Sequence, residues 1–271
     1  MRSDSSQTNR TAIFIEFEKN LCIVSVMEKK LLIIQSYRSE ANAEEERREY
    51  RHVIGTLADI QFISLLDTRL PWSEPEKVVE SFDGVIFGGS SDFDFDGGRT
   101  AEDPVRTEAQ ELLNRARPLI THILKNKIPC LGICLGHQMI ALTQGGEVEN
   151  DAAQNKLGTF DVSLTPDGIA DSLFGALPHV FLAQYDHKDS VTKIPDSAML
   201  LGKGDCCFAS ILRYGERCWT MQFHVEFDAK GMYEEYRDFP ERFPTDVDLQ
   251  AIVKPSPDAS TIIPRFVGLF K

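Results

Sequence analysis

Long apolar runs are missing from this 271-residue sequence. None approaches the roughly 20 residues that a membrane helix needs. The N-terminus has neither the charged-then-apolar order nor the cleavage site of a secretory signal, so no membrane partner is expected. Positive charge is also scarce. Lys and Arg number 29 against 42 Asp and Glu, a formal net charge of −13, with no basic stripe. That balance argues against a phosphate-backbone partner and leaves no expected nucleic acid. Among the six cysteines, Cys22, Cys130, Cys134, Cys206, Cys207 and Cys218, there is no C-x-x-C pair, so a zinc site is not expected. Their irregular spacing is not a disulfide framework, and free thiols point to a reducing cytoplasm. Cys206-Cys207, next to Phe208, read as core or strand-end residues. Repeats, linkers and low-complexity stretches are absent as well. With 42% hydrophobic and 26% charged residues, the chain has an ordinary globular composition and enough length for one large α/β domain.

What is present is organised around residues 128–141, Ile128-Pro-Cys-Leu-Gly-Ile-Cys-Leu-Gly-His-Gln-Met-Ile-Ala. An apolar run breaks at Gly132, presents Cys134, and changes to helical spacing through Leu135, Met139, Ile140 and Leu142. Gly145-Gly146 stop that helix. A buried strand feeding a helix through a tight turn, with a nucleophile at the apex, is a nucleophile elbow; here the pattern is G-I-C-L-G. Gly132 and Gly136 leave room for strand and helix to pack. The turn points the sulfur outward beside helix N-terminal N–H groups, which favour thiolate. The plain alternative is one more buried cysteine.

Along the chain, residues 1–10 read as a polar tail. Ala12–Phe17 and Leu21–Val26 read as a strand pair across Glu18-Lys19-Asn20. Met27 is a plausible natural start, so residues 1–28 are expected as an extension outside the core and 29–271 as one domain. Strands are expected at Leu31–Gln35, Gln61–Leu66, Gly84–Phe87 and 128–133. Helices are expected at 41–58 with Asn42 as cap, at Glu74–Ser81 with Pro75 at its start, and from Pro104 to about Lys125. Strands joined by crossover helices imply a mainly parallel sheet with ligands at the carboxyl ends of the strands. After Gly146 the pattern turns to period-two runs: Phe160–Leu164, His179–Ala183, Met199–Gly202, Phe208–Arg213 and Cys218–Phe223, the last two joined at Tyr214-Gly-Glu. Residues 228–253 mix helix and loop, and Pro257-Asp-Ala-Ser-Thr caps a final helix.

A cysteine hydrolase needs a base, and a group that holds the base's tautomer. The best candidates are His224 and Glu226 in Gln222-Phe-His-Val-Glu-Phe. Two residues apart in extended chain, they point to the same side. A strand-end histidine beside a surface glutamate is the plain alternative. His52, His122 and His179 read as surface or strand-end residues. Gly88-Gly89-Ser90 ends the third strand, where backbone N–H groups approach a substrate carbonyl with no Cβ between. The Leu135 N–H supplies a second donor.

Gly88-Gly89, G-I-C-L-G-H-Q at 132–138, H-K-D-S-V at 187–191 and F-H-V-E at 223–226, in that order, resemble the class I glutamine amidotransferase domain, especially its GMP-synthase-like branch and stand-alone relatives. The resemblance covers roughly residues 29–230. It implies an α/β, flavodoxin-like, mainly parallel sheet with flanking helices and a β-rich C-terminal half. It also implies a Cys134–His224–Glu226 triad that hydrolyses the γ-amide of glutamine through a γ-glutamyl thioester and releases ammonia. Gly89 and Leu135 would hold the oxyanion. Gly88, Gln138 and the backbone around Tyr185, Asp186 and His187 would help hold the glutamine, with no cofactor and no metal. No synthetase domain follows, so the ammonia acceptor is expected on a separate chain. The alternative is a free-standing γ-glutamyl peptidase or amine hydrolase, and the third reading is a non-catalytic, regulatory protein.

Two departures from the family pattern stand out. Val225 replaces a proline, an exchange expected to matter little in extended chain. The segment after Gly-Gly is also longer and acidic: Asp92-Phe-Asp94-Phe-Asp96-Gly97 is the first half of a calcium loop, although Asp103 stands where glutamate is expected and no helix precedes it. A solvated acidic loop is the simpler reading. A third is that these carboxylates, at the mouth of the site, attract a cationic substrate end, with Phe93 and Phe95 against its carbon chain.

Overall fold

The computed structural model describes residues 12–13, 24–25, 28–205, 207–238 and 248–270. Its first two strands, β1 (Ala12–Ile13) and β2 (Val24–Ser25), pair antiparallel in a small sheet of their own. The turn expected between them and Cys22 lie outside the described residues, as does Cys206.

The main sheet begins at β3 (Lys30–Gln35), whose Leu-Leu-Ile-Ile core is fully buried. A continuous apolar run suits a strand covered on both faces. Next come α1 (Glu40–Ile54), β4 (Asp59–Ser64), α2 (Pro75–Val79), β5 (Gly84–Phe87), α3 (Pro104–Asn126), β6 (Cys130–Ile133) and α4 (Leu135–Thr143). The chain continues through β7 (Glu147–Asn150), β8 (Lys156–Leu164), α5 (Pro166–Ile169), β9 (Val180–His187), β10 (Asp189–Lys193) and β11 (Ala198–Gly204). It closes with β12 (Ile211–Tyr214), β13 (Cys218–Met221), α6 (Ala229–Asp238), α7 (Leu249–Ile252) and α8 (Ile262–Gly268). The cap of α1 is Ser39, not Asn42: the Ser39 hydroxyl accepts from the Asn42 N–H at 3.5 Å. The helix ends earlier than expected because Gly55 takes φ +54° at its C-cap, a left-handed stop that glycine makes without strain.

Nine strands hydrogen-bond in the order β4-β3-β5-β6-β13-β12-β11-β8-β9. The first five are mutually parallel and the remaining pairings antiparallel. The parallel part has the 2-1-3-4-5 order of flavodoxin-like folds, and the antiparallel part is the β-rich C-terminal half. Successive side chains of β3 divide between two cores. Leu31 and Ile33 pack with Tyr50 and Ile54 of α1 and with Phe266 of α8. Leu32 and Ile34 face Val78 of α2, Leu112 and Leu113 of α3 and Met139 of α4. Because every parallel strand runs the same way, the ends of β5, β6 and β13 converge on one edge, and ligands bind at this edge in such sheets.

Candidate active site

The elbow forms where β6 hands over to α4. Cys134 sits between them at φ 49°, ψ −102°, a left-handed conformation that costs a non-glycine residue about 1–3 kcal/mol. Two backbone bonds hold it there: its N–H donates to Met221 O at 2.9 Å, and its carbonyl accepts from the Gln138 N–H at 3.1 Å. The flanking glycines are required by contact. A Cβ on Gly136 would lie 2.3 Å from Phe87 O, and one on Gly132 would lie 2.9 Å from Gly136 O. Strand and helix therefore approach more closely here than any side chain permits.

Beyond β13 the chain stays extended, and the His224 N–H donates to Gln184 O at 2.8 Å. This extension brings His224 Nδ1 to 2.7 Å from Glu226 Oε1, with both residues buried. The second carboxylate oxygen accepts from the Val225 N–H at 2.9 Å. A proline could not make that bond, so the exchange at 225 does have a consequence: it fixes the carboxylate through both oxygens. Burial disfavours charge on His224. The Glu226 carboxylate and the hydrogen-bonding range of Cys134 outweigh it and hold the imidazole well above its ordinary pKa.

Gly88 and Gly89 follow β5 directly. The Gly88 N–H donates to Ile34 O at 3.0 Å and its carbonyl accepts from the Gly136 N–H at 3.2 Å. Gly89 lies against both reacting residues: a Cβ there would stand 3.1 Å from His224 Cε1 and 3.6 Å from Cys134 Cβ. Leu135 opens α4, where an N–H has no acceptor within the helix.

A cavity of about 60 Å³ opens on the sulfur. Of the residues expected to hold substrate, Gln138, Asp186 and His187 line it, together with Ser90, Ser91, Phe93, Asp94, Lys188 and Asp189. Tyr185 is not on this wall: its hydroxyl bonds Ser210 Oγ at 2.9 Å and its carbonyl accepts from the Tyr236 hydroxyl. Burial lowers the pKa of His187 to about 3, so this ring is neutral. Its Nδ1 lies 3.0 Å from Asp189 O and its buried Nε2 has no partner. Gln222 escaped sequence reasoning although it begins the same motif as His224. Its amide nitrogen lies 3.7 Å from Cys134 Sγ, and its Oε1 accepts from Gln138 Nε2 at 3.3 Å. An uncharged polar residue two positions before the base carries no motif signal.

The family description "Glutamine amidotransferase class-I" matches residues 102–238, a span that holds Cys134, His187, His224 and Glu226. The chain belongs to the class I glutamine amidotransferase family. A relative from Methanocaldococcus jannaschii, the glutamine-hydrolysing subunit of a GMP synthase, is 29% identical over 173 residues, 62% of this chain and 78% of that one. The glutamine-hydrolysing GMP synthase of Borreliella burgdorferi is 31% identical over 169 residues, again 62% of this chain but 29% of its own length. Among solved structures, a glutamine amidotransferase from Thermotoga maritima shares the fold with a TM-score of 0.60 at 20% identity, over 90% of this chain and 95% of that one.

In this amidotransferase the acidic loop does not present free carboxylates. Asp94 accepts from Arg99 Nε at 3.0 Å, Asp96 lies 3.7 Å from Arg106 Nη1, and Asp92 accepts from the Arg38 N–H at 2.7 Å. Phe93 and Phe95 are buried, and the Arg38 guanidinium covers the Phe93 ring at 4.4 Å. The loop is therefore neither a solvated acidic segment nor an attractor for a cationic substrate end. Its charges are spent on its own arginines, three cations that charge counting alone does not assign to it. Nor do its aspartates form a metal cluster: none of three or more ligands exists among the described residues. Asp189 anchors the loop to β10 by accepting from the Asp96 and Gly97 N–H groups at 2.8 and 2.6 Å.

Proposed function

We propose that this chain hydrolyses the γ-amide of glutamine, with Cys134 as nucleophile, and passes the ammonia to an acceptor on a separate synthetase chain. The observation that carries the reading is the Glu226-held imidazole of His224 set against a strained elbow cysteine across Gly89. In this mechanism His224 takes the Cys134 proton and Sγ attacks the amide carbon. The oxygen gains charge facing the Gly89 and Leu135 N–H groups, which stabilise it most in the transition state. Collapse breaks the C–N bond as His224 returns its proton to the leaving nitrogen, and ammonia departs from a γ-glutamyl thioester. His224 then deprotonates a water that attacks the thioester, releasing glutamate and restoring the thiol. Gln138, the backbone at Asp186 and the neutral His187 ring supply uncharged contacts to the amino acid.

The separate acceptor is supported by the archaeal relative, whose name designates a glutamine-hydrolysing subunit. The γ-glutamyl amine hydrolase reading loses its main ground, since the loop carboxylates meant to attract an amine are already paired. The test is ammonia release from glutamine by the purified protein, alone and with a synthetase chain. Cys134→Ala is expected to lower the rate by at least ~10³-fold. Turnover that survives this substitution would remove Cys134 from the mechanism. Preference for γ-glutamyl peptides over glutamine would replace the amidotransferase reading with the hydrolase one.

A further inference from the structure

Glu46 has no part in the mechanism above, yet it lies directly beneath it. It belongs to the charged run Glu44-Glu45-Glu46-Arg47 of α1; Glu44 is exposed, whereas Glu46 is 1% exposed. Its Oε2 accepts from Gln35 Nε2 at 2.7 Å. That amide is fixed in turn by Ala43 O at 2.9 Å and by Arg47 Nε on its own oxygen at 2.8 Å. The other oxygen, Oε1, is buried without a hydrogen-bond partner. It abuts Gly88, where a Cβ would lie 2.6 Å away. The acid thus fills the notch that glycine leaves in the oxyanion segment, while Cys134 and His224 flank the next residue, Gly89. One peptide separates a buried carboxyl from the reacting atoms.

We propose that Glu46 is a positioning residue: its uncharged carboxyl packs beneath Gly88-Gly89 and leaves the Gly89 N–H free for the oxyanion, and its ionisation withdraws that donor. This rests on the γ-amide hydrolysis reading, which gives the Gly89 N–H its task. The groups facing Glu46 fix its charge. Burial comes first, then the Glu226 carboxylate beyond His224; both oppose a second negative charge. Gln35, the His224 imidazole and the Gly89 amide pull the other way, and the balance keeps the acid neutral up to about pH 8. The Tyr37 and Tyr50 hydroxyls alongside are held neutral by burial, so neither compensates it. Once ionised, the carboxylate competes for the Gly89 N–H with the far shorter-lived oxyanion, and it places like charge beside that oxyanion.

The experiment is the pH–rate profile of glutamine hydrolysis for the wild type and Glu46→Gln, with infrared difference spectra of both proteins across the same range. If only the neutral acid supports catalysis, wild-type kcat falls about tenfold one unit above the pKa, with KM little changed. In Glu46→Gln, which keeps the shape and cannot ionise, the fall between pH 7 and 9 is less than about twofold. A buried carboxylic-acid band is expected in the wild type at pH 7, lost by pH 9 and absent from the variant. Superimposable rate profiles overturn the proposal alone. So does the absence of the acid band at pH 7, whatever the activity. A wild type that turns over no glutamine, even with a synthetase chain, sinks the hydrolase reading and the oxyanion step with it.

Discussion

A buried carboxyl without a counter-ion also affects stability, and at Glu46 the sign follows from proton counts. Its pKa rises from the ordinary 4.5 to about 8 in the folded chain. Between those values the native state keeps a proton that the unfolded chain has released, so stability falls as pH rises, by about 1.4 kcal/mol per unit. The contribution is fully present below 4.5 and lost by about 8. Glu46→Gln lacks this dependence. Denaturant unfolding at pH 5 and pH 8 should show the variant gaining several kcal/mol on the wild type, on the order of 3–4; a constant difference would mean that Glu46 is already ionised when folded. None of this is legible in the sequence, because Glu46 stands among residues of its own kind and only the fold decides which one turns inward. Cys134, His224 and Glu226 are legible for the opposite reason: a thiol between glycines, and an imidazole and carboxylate two apart, each carry a spacing that chemistry requires. Gln222 and the Val225 N–H complete the same constellation with groups that leave no pattern.

At the scale of elements, the parallel half reads directly from the chain because each of its strands is a short apolar run bounded by turn residues. The strands β7 and β10 do not. Glu-Val-Glu-Asn and Asp-Ser-Val-Thr-Lys bury Val148 and Val191 respectively as their only hydrophobic side chains, too little for a period-two signal. Yet β10 places Asp189 on the acidic loop. The strand–helix elbow, in contrast, is dictated by its glycines, and this can be measured. Gly136→Ala puts a methyl 2.3 Å from the Phe87 carbonyl, which is backbone and cannot swing aside. It is expected to cost about 3 kcal/mol or to push α4 off the sheet. Gly268, in α8, meets no atom within 4 Å of an added Cβ. Gly268→Ala should therefore be neutral or stabilise by roughly 0.5–1 kcal/mol. Thermal unfolding of the two variants together checks the argument, and equal melting temperatures would show that the elbow tolerates a wider gap.

For the whole molecule, the active edge lies in a strongly acidic body of formal net charge −13, and the proposed mechanism makes a product that another chain must collect. The relatives show the same unit in two settings. The match spans 78% of the archaeal protein but 29% of the longer Borreliella burgdorferi chain, so the unit occurs both as most of a chain and as a minor part of one. Where acceptor and donor are separate chains, their encounter depends on diffusion, and charge then acts on the rate of encounter more than on the strength of the final complex. An acidic donor is steered toward a basic face, and salt screens that attraction over a Debye length of about 10 Å at 0.1 M. Glutamine turnover should accordingly rise when a synthetase chain lacking its own glutaminase unit is added. The concentration giving half of that rise should increase about tenfold between roughly 50 and 300 mM salt, on the order seen for charge-steered pairs. A titration at the two salt concentrations measures this. Stimulation independent of salt would place the contact on uncharged surface, and no stimulation at either would identify a hydrolase that acts alone.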